Sequence, residues 1–174
     1  MNIGIIGRLT KIKNHQMFID AAAILTWLKD NNNLHFWIIG DGELYGTLYM
    51  RRSLLKEYLT FTGWRKDMGE VYKNLDIAVC TSDNEGTPVS LIEAAVCGLP
   101  IISTDVGGIR DVFKGSESIL YVKKNDCVEL ACAITVMVDD IEYYKEKAEE
   151  FKEVVYNRFR KERLIKDIKE LYSI

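Results

Sequence analysis

Two pairs of side chains in this chain have the types and spacing for chemistry on a phosphorylated, hydroxyl-rich compound. The first is Glu85 and Glu93, with seven residues between them in E-G-T-P-V-S-L-I-E-A-A, Glu85 to Ala95. An ionised carboxylate only accepts hydrogen bonds, so it suits adjacent hydroxyls on a sugar or a ribose. Thr87 reads as an N-cap and Pro88 as the first helical residue, where a missing N–H costs nothing. Gly98 and Pro100 then close the helix. Glu85 falls in the loop before this helix and Glu93 inside it, while the N–H groups of Val89 and Ser90 face the loop. Such an end favours an anion such as a phosphate. The second pair is Arg8 and Lys13, directly after the apolar run N-I-G-I-I-G, Asn2 to Gly7. Arg offers a fork of donors and Lys a mobile point charge, and together they could neutralise a diphosphate. Taken alone, the same residues also fit a capped amphipathic helix with solvated glutamates and two ordinary loop cations.

The flanking residues narrow this choice. E-G-T-P-V-S-L-I-E-A resembles the glutamate-x7-glutamate motif of retaining glycosyltransferases with the GT-B fold, in particular family 4. The match includes the Gly after the first Glu, the Pro and the E-A ending. G-R-L-T-K-I-K, Gly7 to Lys13, is similar to the G-R-L-x-x-x-K that binds the donor diphosphate in that family. The resemblance runs from Ile3 to about Leu171 and identifies the chain as the C-terminal, donor-binding half of such an enzyme. It implies that Arg8 and Lys13 clamp the diphosphate, Glu93 holds the ribose hydroxyls and Glu85 holds the donor sugar. The backbone of Gly86, Thr87, Pro88, Val89 and Ser90 would meet the phosphate or sugar. Trp64, in G-W-R at 63–65, lies where relatives hold the nucleobase; it could stack on a base or pack on the neighbouring helix. G-D-G at 40–42 and the loop of Asp105, Gly107 and Gly108 also match the family, and read as a tight turn and as backbone shape.

The same resemblance implies no cofactor and no D-x-D metal site. The donor would be a nucleotide sugar, first a UDP-sugar, with GDP- and ADP-sugars as alternatives. Transfer would retain anomeric configuration by same-face attack, the leaving phosphate helping to deprotonate the acceptor. Glu85, Arg8 and Lys13 are then the catalytic candidates. Relatives carry an N-terminal acceptor-binding domain of comparable size, and it is expected to be absent from these residues. The fragment is therefore expected to fold, to bind nucleotide weakly and to transfer no sugar. Two other classes share these features: a GT-B sugar-nucleotide 2-epimerase, for which two histidines are few, and a non-catalytic sugar-nucleotide-binding module. His15 reads as a helix-start residue without catalytic work, and His35 as a structural strand residue.

The elements that hold these residues alternate. Strands are expected at Asn2 to Gly7, Leu34 to Ile39, Leu59 to Thr62, Asp76 to Thr81, Leu99 to Ser103 and Ser118 to Val122. Helices are expected from His15 (apolar stripe Phe18, Ala22, Leu25, Leu28) until Asn31, Asn32 and Asn33 end it, and then after 42 to about Tyr58. Shorter ones follow over Met68 to Asn74 and Ile109 to Phe113. Strands alternating with helices imply an α/β, doubly wound parallel sheet of Rossmann-like type. From about 126 to 174 the chain reads as a helical tail: Val128 to Val138, Ile141 to about Tyr156, and Arg160 to Tyr172. Seven acidic and three basic side chains between Asp139 and Glu153, then six basic and two acidic between Arg158 and Lys169, read as solvated helix faces. In the family the last helices pack back across the domain cleft, which suggests a role for Leu164, Ile168 and Leu171.

Composition fits one domain with a sizeable core: 174 residues, 48% hydrophobic and 28% charged. A net charge of −3 gives no reason to expect nucleic-acid binding. No apolar run is long enough to span a bilayer, so any membrane association would come through the absent half. Cys80, Cys97, Cys127 and Cys132 lack C-x-x-C spacing and read as reduced thiols of a cytoplasmic protein, without disulfide or zinc.

Overall fold

The computed structural model describes residues 1–28, 33–55, 57–163, 165 and 169. Its centre is a sheet of six parallel strands: β1 (Asn2–Ile6), β2 (His35–Ile39), β3 (Leu59–Gly63), β4 (Ile77–Cys80), β5 (Ile101–Thr104) and β6 (Ile119–Val122). They lie in the order β3-β2-β1-β4-β5-β6. Parallel strands need a crossover between them, and the crossovers cover both faces. That is why β4 (I-A-V-C) and β5 (I-I-S-T) are buried at every position instead of alternating.

The crossovers are α1 (His15–Leu28), α2 (Tyr45–Arg51), α3 (Met68–Lys73), α4 (Val89–Val96) and α5 (Ile109–Val112), followed by α6 (Cys127–Asp139) and α7 (Ile141–Phe159). One core joins α1, α2 and α6 to the sheet through residues such as Phe18, Phe36, Ile38, Leu130 and Ile134. The other joins α3, α4, α5 and α7 through Leu91, Ile101, Phe113, Phe151 and Val155. In α1 the expected stripe is buried at Phe18, Ala22 and Leu25. Asp126 caps α6 by accepting from the Glu129 N–H at 2.8 Å. Ala148, Phe151 and Val155 at helical spacing seat α7 on the domain; its glutamates are exposed, while Lys145 reaches Asp76 and Arg158 the Val112 carbonyl. Asn31, Asn32, Leu164, Ile168 and Leu171, and the side chain of Leu28, lie outside the described residues, as does most of the last expected helix.

Two local expectations need correction. The helix expected to reach about Tyr58 stops at Arg51 and passes into a 3-10 turn over Arg52–Leu54. Leu55 is buried, and its carbonyl accepts the N–H groups of Tyr58 and Leu59, both at 2.9 Å, which brings Leu59 into register opposite Phe36. The second correction is at α4, where Pro88 takes the cap position and Thr87 makes no side-chain cap. Thr87 precedes a proline and so is disfavoured in helical conformation. Its carbonyl instead accepts from Val89 at 2.9 Å, and the Pro88 carbonyl takes the N–H groups of Leu91 and Ile92, both at 3.0 Å. Only the Ser90 N–H has no acceptor among the described residues, so the helix end presents one free donor where two were expected.

The order reverses at β1 and β4, where the crossovers leave in opposite directions and a crevice opens at the carboxyl ends of the strands. Two glycines allow the loops there to touch. A Cβ on Gly40 would sit 2.0 Å from the Gly7 carbonyl oxygen, and one on Gly107 (φ +54°) 1.9 Å from that of Glu85. The G-D-G sequence is thus a close approach of two loops rather than merely a tight turn. Gly107→Ala should therefore lower stability by more than about 1 kcal/mol. Gly46→Ala, in α2 with open space around it, should raise it by about 0.5–1 kcal/mol. Urea midpoints check both, and equal midpoints for the two variants would contradict this account of the loops.

Candidate functional site

Arg8, Trp64 and Glu93 come together on one cleft of ≈ 420 Å³, along with Gly7, Gly40 and Asp41 at the ends of β1 and β2. Arg8 leaves the end of β1 with its side chain 77% exposed, and its nearest counter-ion is Glu43 at 4.0 Å. So weak a contact leaves its guanidinium available. Trp64 is 68% exposed, follows β3, and carries the Lys66 ammonium 5.4 Å from its ring centre. The alternative of a Trp packed into the neighbouring helix does not hold at that exposure. Glu93 projects from the second turn of α4 and accepts from the Tyr72 hydroxyl at 2.7 Å. Burial first, and then this hydrogen bond, push the Tyr72 phenol well above its ordinary range. Tyr72 therefore stays protonated and fixes one oxygen of Glu93, leaving the rest of an exposed carboxylate to accept from a ligand.

Lys13 and Glu85 form a second group beside the first, with Ile6 lining both. The Lys13 ammonium contacts Glu85 Oε1 directly. Ser82 donates to the same oxygen at 2.7 Å, and the Cys80 thiol lies 3.9 Å from it. Lys13, expected as part of a diphosphate clamp, is thus already paired, with its side chain 30% exposed against 10% for Glu85. Thr81 holds the lysine loop in place, donating to the carbonyls of Lys13 at 3.0 Å and Asn14 at 2.9 Å. On the other side the Gly108 N–H donates to the Glu85 carbonyl at 2.9 Å. Burial pushes the Cys80 thiol up, so it acts as a neutral neighbour.

Of the 86–90 segment, Ser90 lines the Glu85 group, whereas Gly86, Thr87, Pro88 and Val89 line neither cavity. Pro88 is buried, and Gly86, Thr87 and Val89 are exposed. Asp105 is taken up by a bidentate pair with Arg110 at 2.6 and 2.7 Å, consistent with a role in loop shape. His35 shares a hydrogen bond with Thr60 at 2.8 Å, as a structural strand residue should. Sequence reasoning missed Tyr72 and Ser82. Ser82 carried a local signal, three residues before Glu85 at a strand exit, but Tyr72 meets Glu93 only through the packing of α3 on α4.

With this geometry in hand, comparison with known proteins decides the family. The model of glycosyl transferases group 1 matches residues 1–140. This chain belongs to that family. An Escherichia coli UDP-Gal:alpha-D-GlcNAc-diphosphoundecaprenol alpha-1,3-galactosyltransferase is 30% identical over 173 residues, covering 96% of this chain and 44% of the relative. The N-acetyl-alpha-D-glucosaminyl L-malate synthase of Bacillus anthracis is 25% identical over 169 residues, again 96% and 44%. Among solved structures, Anabaena HepE in complex with UDP matches at TM-score 0.88 and 23% identity, over 99% of this chain and 48% of that one. The C-terminal domain of a group 1 glycosyl transferase from Francisella tularensis matches at TM-score 0.79 and 24% identity, over 92% and 86%. This member of the family therefore has the GT-B type of Rossmann-like sheet and corresponds to the C-terminal half of the relatives it matches. It spans less than half the length of the curated relatives it matches. Among the described residues no helix is long and apolar enough to cross a membrane.

One buried group beside the Lys13–Glu85 pair has a pH signature. Burial first, and the Lys13 charge second, lower the His15 pKa from 6.5 to about 4. The unfolded chain binds this proton below about 6.5 while the folded one does not until about 4. The stability that goes with neutral His15 is thus fully present above the first value and lost as pH falls to the second. The loss should total roughly 3 kcal/mol. Urea titrations from pH 7 to 4 should show this slope in the wild type and a flatter one in His15→Gln; equal slopes would contradict the assignment.

Proposed function

We propose that this chain binds the nucleotide-sugar donor of a retaining glycosyltransferase and presents its anomeric carbon to an acceptor held by a second domain. The observation that carries this reading is the convergence at the sheet's reversal point. An available Arg8, an exposed aromatic face at Trp64 and a carboxylate at Glu93 share one cleft, beside the Lys13–Glu85 pair and the free Ser90 N–H. Arg8 and Lys13 take the diphosphate, Trp64 the base and Glu93 the ribose hydroxyls. Glu85 takes the sugar, and the Ser90 N–H adds a donor for phosphate or sugar. Lys13 need not leave Glu85 to do this, because an ammonium has three N–H donors and one pairing leaves two. As the bond to the leaving phosphate breaks, negative charge grows where these cations already stand. That is electrostatic preorganisation.

A relative named for UDP-Gal and a structural neighbour solved with UDP support a UDP-sugar as donor, ahead of GDP- and ADP-sugars. Neither relative described above is an epimerase, and nothing in the site favours that chemistry. That this chain spans 44% of the galactosyltransferase it resembles supports a need for a second domain, so residues 1–174 alone should bind donor and transfer no sugar measurably. The four free thiols support work on a cytoplasmic donor pool.

Calorimetry with UDP, GDP and ADP tests the site. Arg8→Ala and Lys13→Ala should each weaken binding of the preferred diphosphate by about 1–3 kcal/mol. They should differ in stability, because only Lys13→Ala strands a buried carboxylate. The exposed Arg8→Ala should melt like the wild type. Glu93→Gln should weaken nucleotide binding through the ribose, and Glu85→Gln should weaken UDP-sugar more than UDP. Unchanged affinities across the four variants would remove the proposal.

A further inference from the structure

A buried ionisable group that the proposed chemistry leaves unused is His15, at the first position of α1. It is 1% exposed, and neither ring nitrogen has a hydrogen-bond partner among the described residues. A neutral imidazole carries one N–H donor and one acceptor, and burying both unpaired is costly. His15 lines a cavity of ≈ 10 Å³ whose other polar walls are Lys13, Thr81, Ser82, Glu85 and Ser90. A space of this size holds one water when two or more polar groups surround it. Glu85 has acceptor capacity to spare: the contacts from Lys13, Ser82 and Cys80 all fall on Oε1. Among the described residues nothing donates to Oε2.

We propose that one internal water fills this cavity, accepts from a ring N–H of His15 and donates to the Glu85 carboxylate, making His15 a positioning residue for the Lys13–Glu85 pair. The water is matched to a neutral ring, since an imidazolium beside the Lys13 ammonium would add a like charge. Burial and that same lysine hold His15 neutral down to about pH 4. The charged or titratable groups facing the cavity are Lys13 from the 3-10 turn after β1, and Cys80 and Glu85 from β4 and its exit loop. Loss of the link frees the carboxylate to rotate, and Lys13 with it. The diphosphate and sugar contacts would then be made from a less ordered start. This consequence for binding rests on the donor-site reading above; the water link itself does not.

Two measurements decide it. The chain has two histidines, so the ring nitrogens of a 15N-labelled sample are simple to assign by long-range 1H–15N NMR. His15 should show a single tautomer with a slowly exchanging N–H, and Glu85→Gln should move its ring shifts while leaving His35 unmoved. His15→Leu keeps the bulk but drops the polar link; it should fold and bind UDP-glucose about tenfold more weakly than wild type. His15→Gln, which can still reach the water, should recover most of that loss. Ring shifts indifferent to Glu85→Gln, or a folded His15→Leu that binds UDP-glucose like wild type, would overturn the proposal. If wild type itself bound neither UDP nor UDP-glucose, the donor reading would fail and the NMR comparison would still decide the water link. If His15→Leu failed to fold, that comparison alone would decide.

Discussion

The architecture of the site depends on Glu85, where three loops meet through one residue. Its carboxylate takes the Lys13 ammonium from the loop after β1 and the Ser82 hydroxyl from its own loop. Its carbonyl takes the Gly108 N–H from the loop after β5. A carboxylate this enclosed needs such partners, because an unpaired buried charge is among the costliest features a fold can carry. The pairing sets how far apart the β1 and β4 loops stand, and so sets the width of the crevice at the point of reversal. Gly107 is glycine for the same reason, since any side chain there would displace the Glu85 carbonyl.

Around this node the site has a graded character. Lys13 and Glu85 are enclosed and mutually satisfied, whereas Arg8, Trp64 and Glu93 stand open on the cleft. The enclosed pair holds its geometry without a ligand, and the open groups are those that, on the proposed reading, a nucleotide would recruit without breaking a contact. Glu93 lies between the two cases, with one oxygen tied to Tyr72 and the remainder exposed. On the proposed reading, such an arrangement would lower the ordering cost of binding at the phosphates, where position matters most to the leaving group.

Much of this was legible in the sequence, for identifiable reasons. Buried parallel strands are apolar throughout, so N-I-G-I-I and D-I-A-V-C-T announced themselves, and the alternation of strands with amphipathic stretches implied the doubly wound sheet. The places of Arg8, Lys13 and Glu85 in loops after strands, and of Glu93 inside α4, were legible because short motifs carry them. What failed was local or long-range in origin. The start of α4 turned on one carbonyl: Thr87 binds the Val89 N–H and so neither caps the helix nor leaves two free donors. The early end of α2 follows from anchoring Leu55 in the core, which no helical periodicity records. Tyr72 to Glu93, Ser82 to Glu85 and the unpaired ring of His15 arise from packing between elements far apart in the chain. Spacing within a motif says nothing about them.

The central claim is that the crevice at the β1/β4 reversal is the nucleotide-sugar site, and a crystal structure of this chain with UDP bound tests it most directly. The account predicts diphosphate oxygens within hydrogen-bonding distance of Arg8 and Lys13, ribose hydroxyls on Glu93, and the base against Trp64. Lys13 should still touch Glu85. A UDP molecule bound elsewhere on the domain, or a diphosphate in this crevice that meets neither Arg8 nor Lys13, would contradict it.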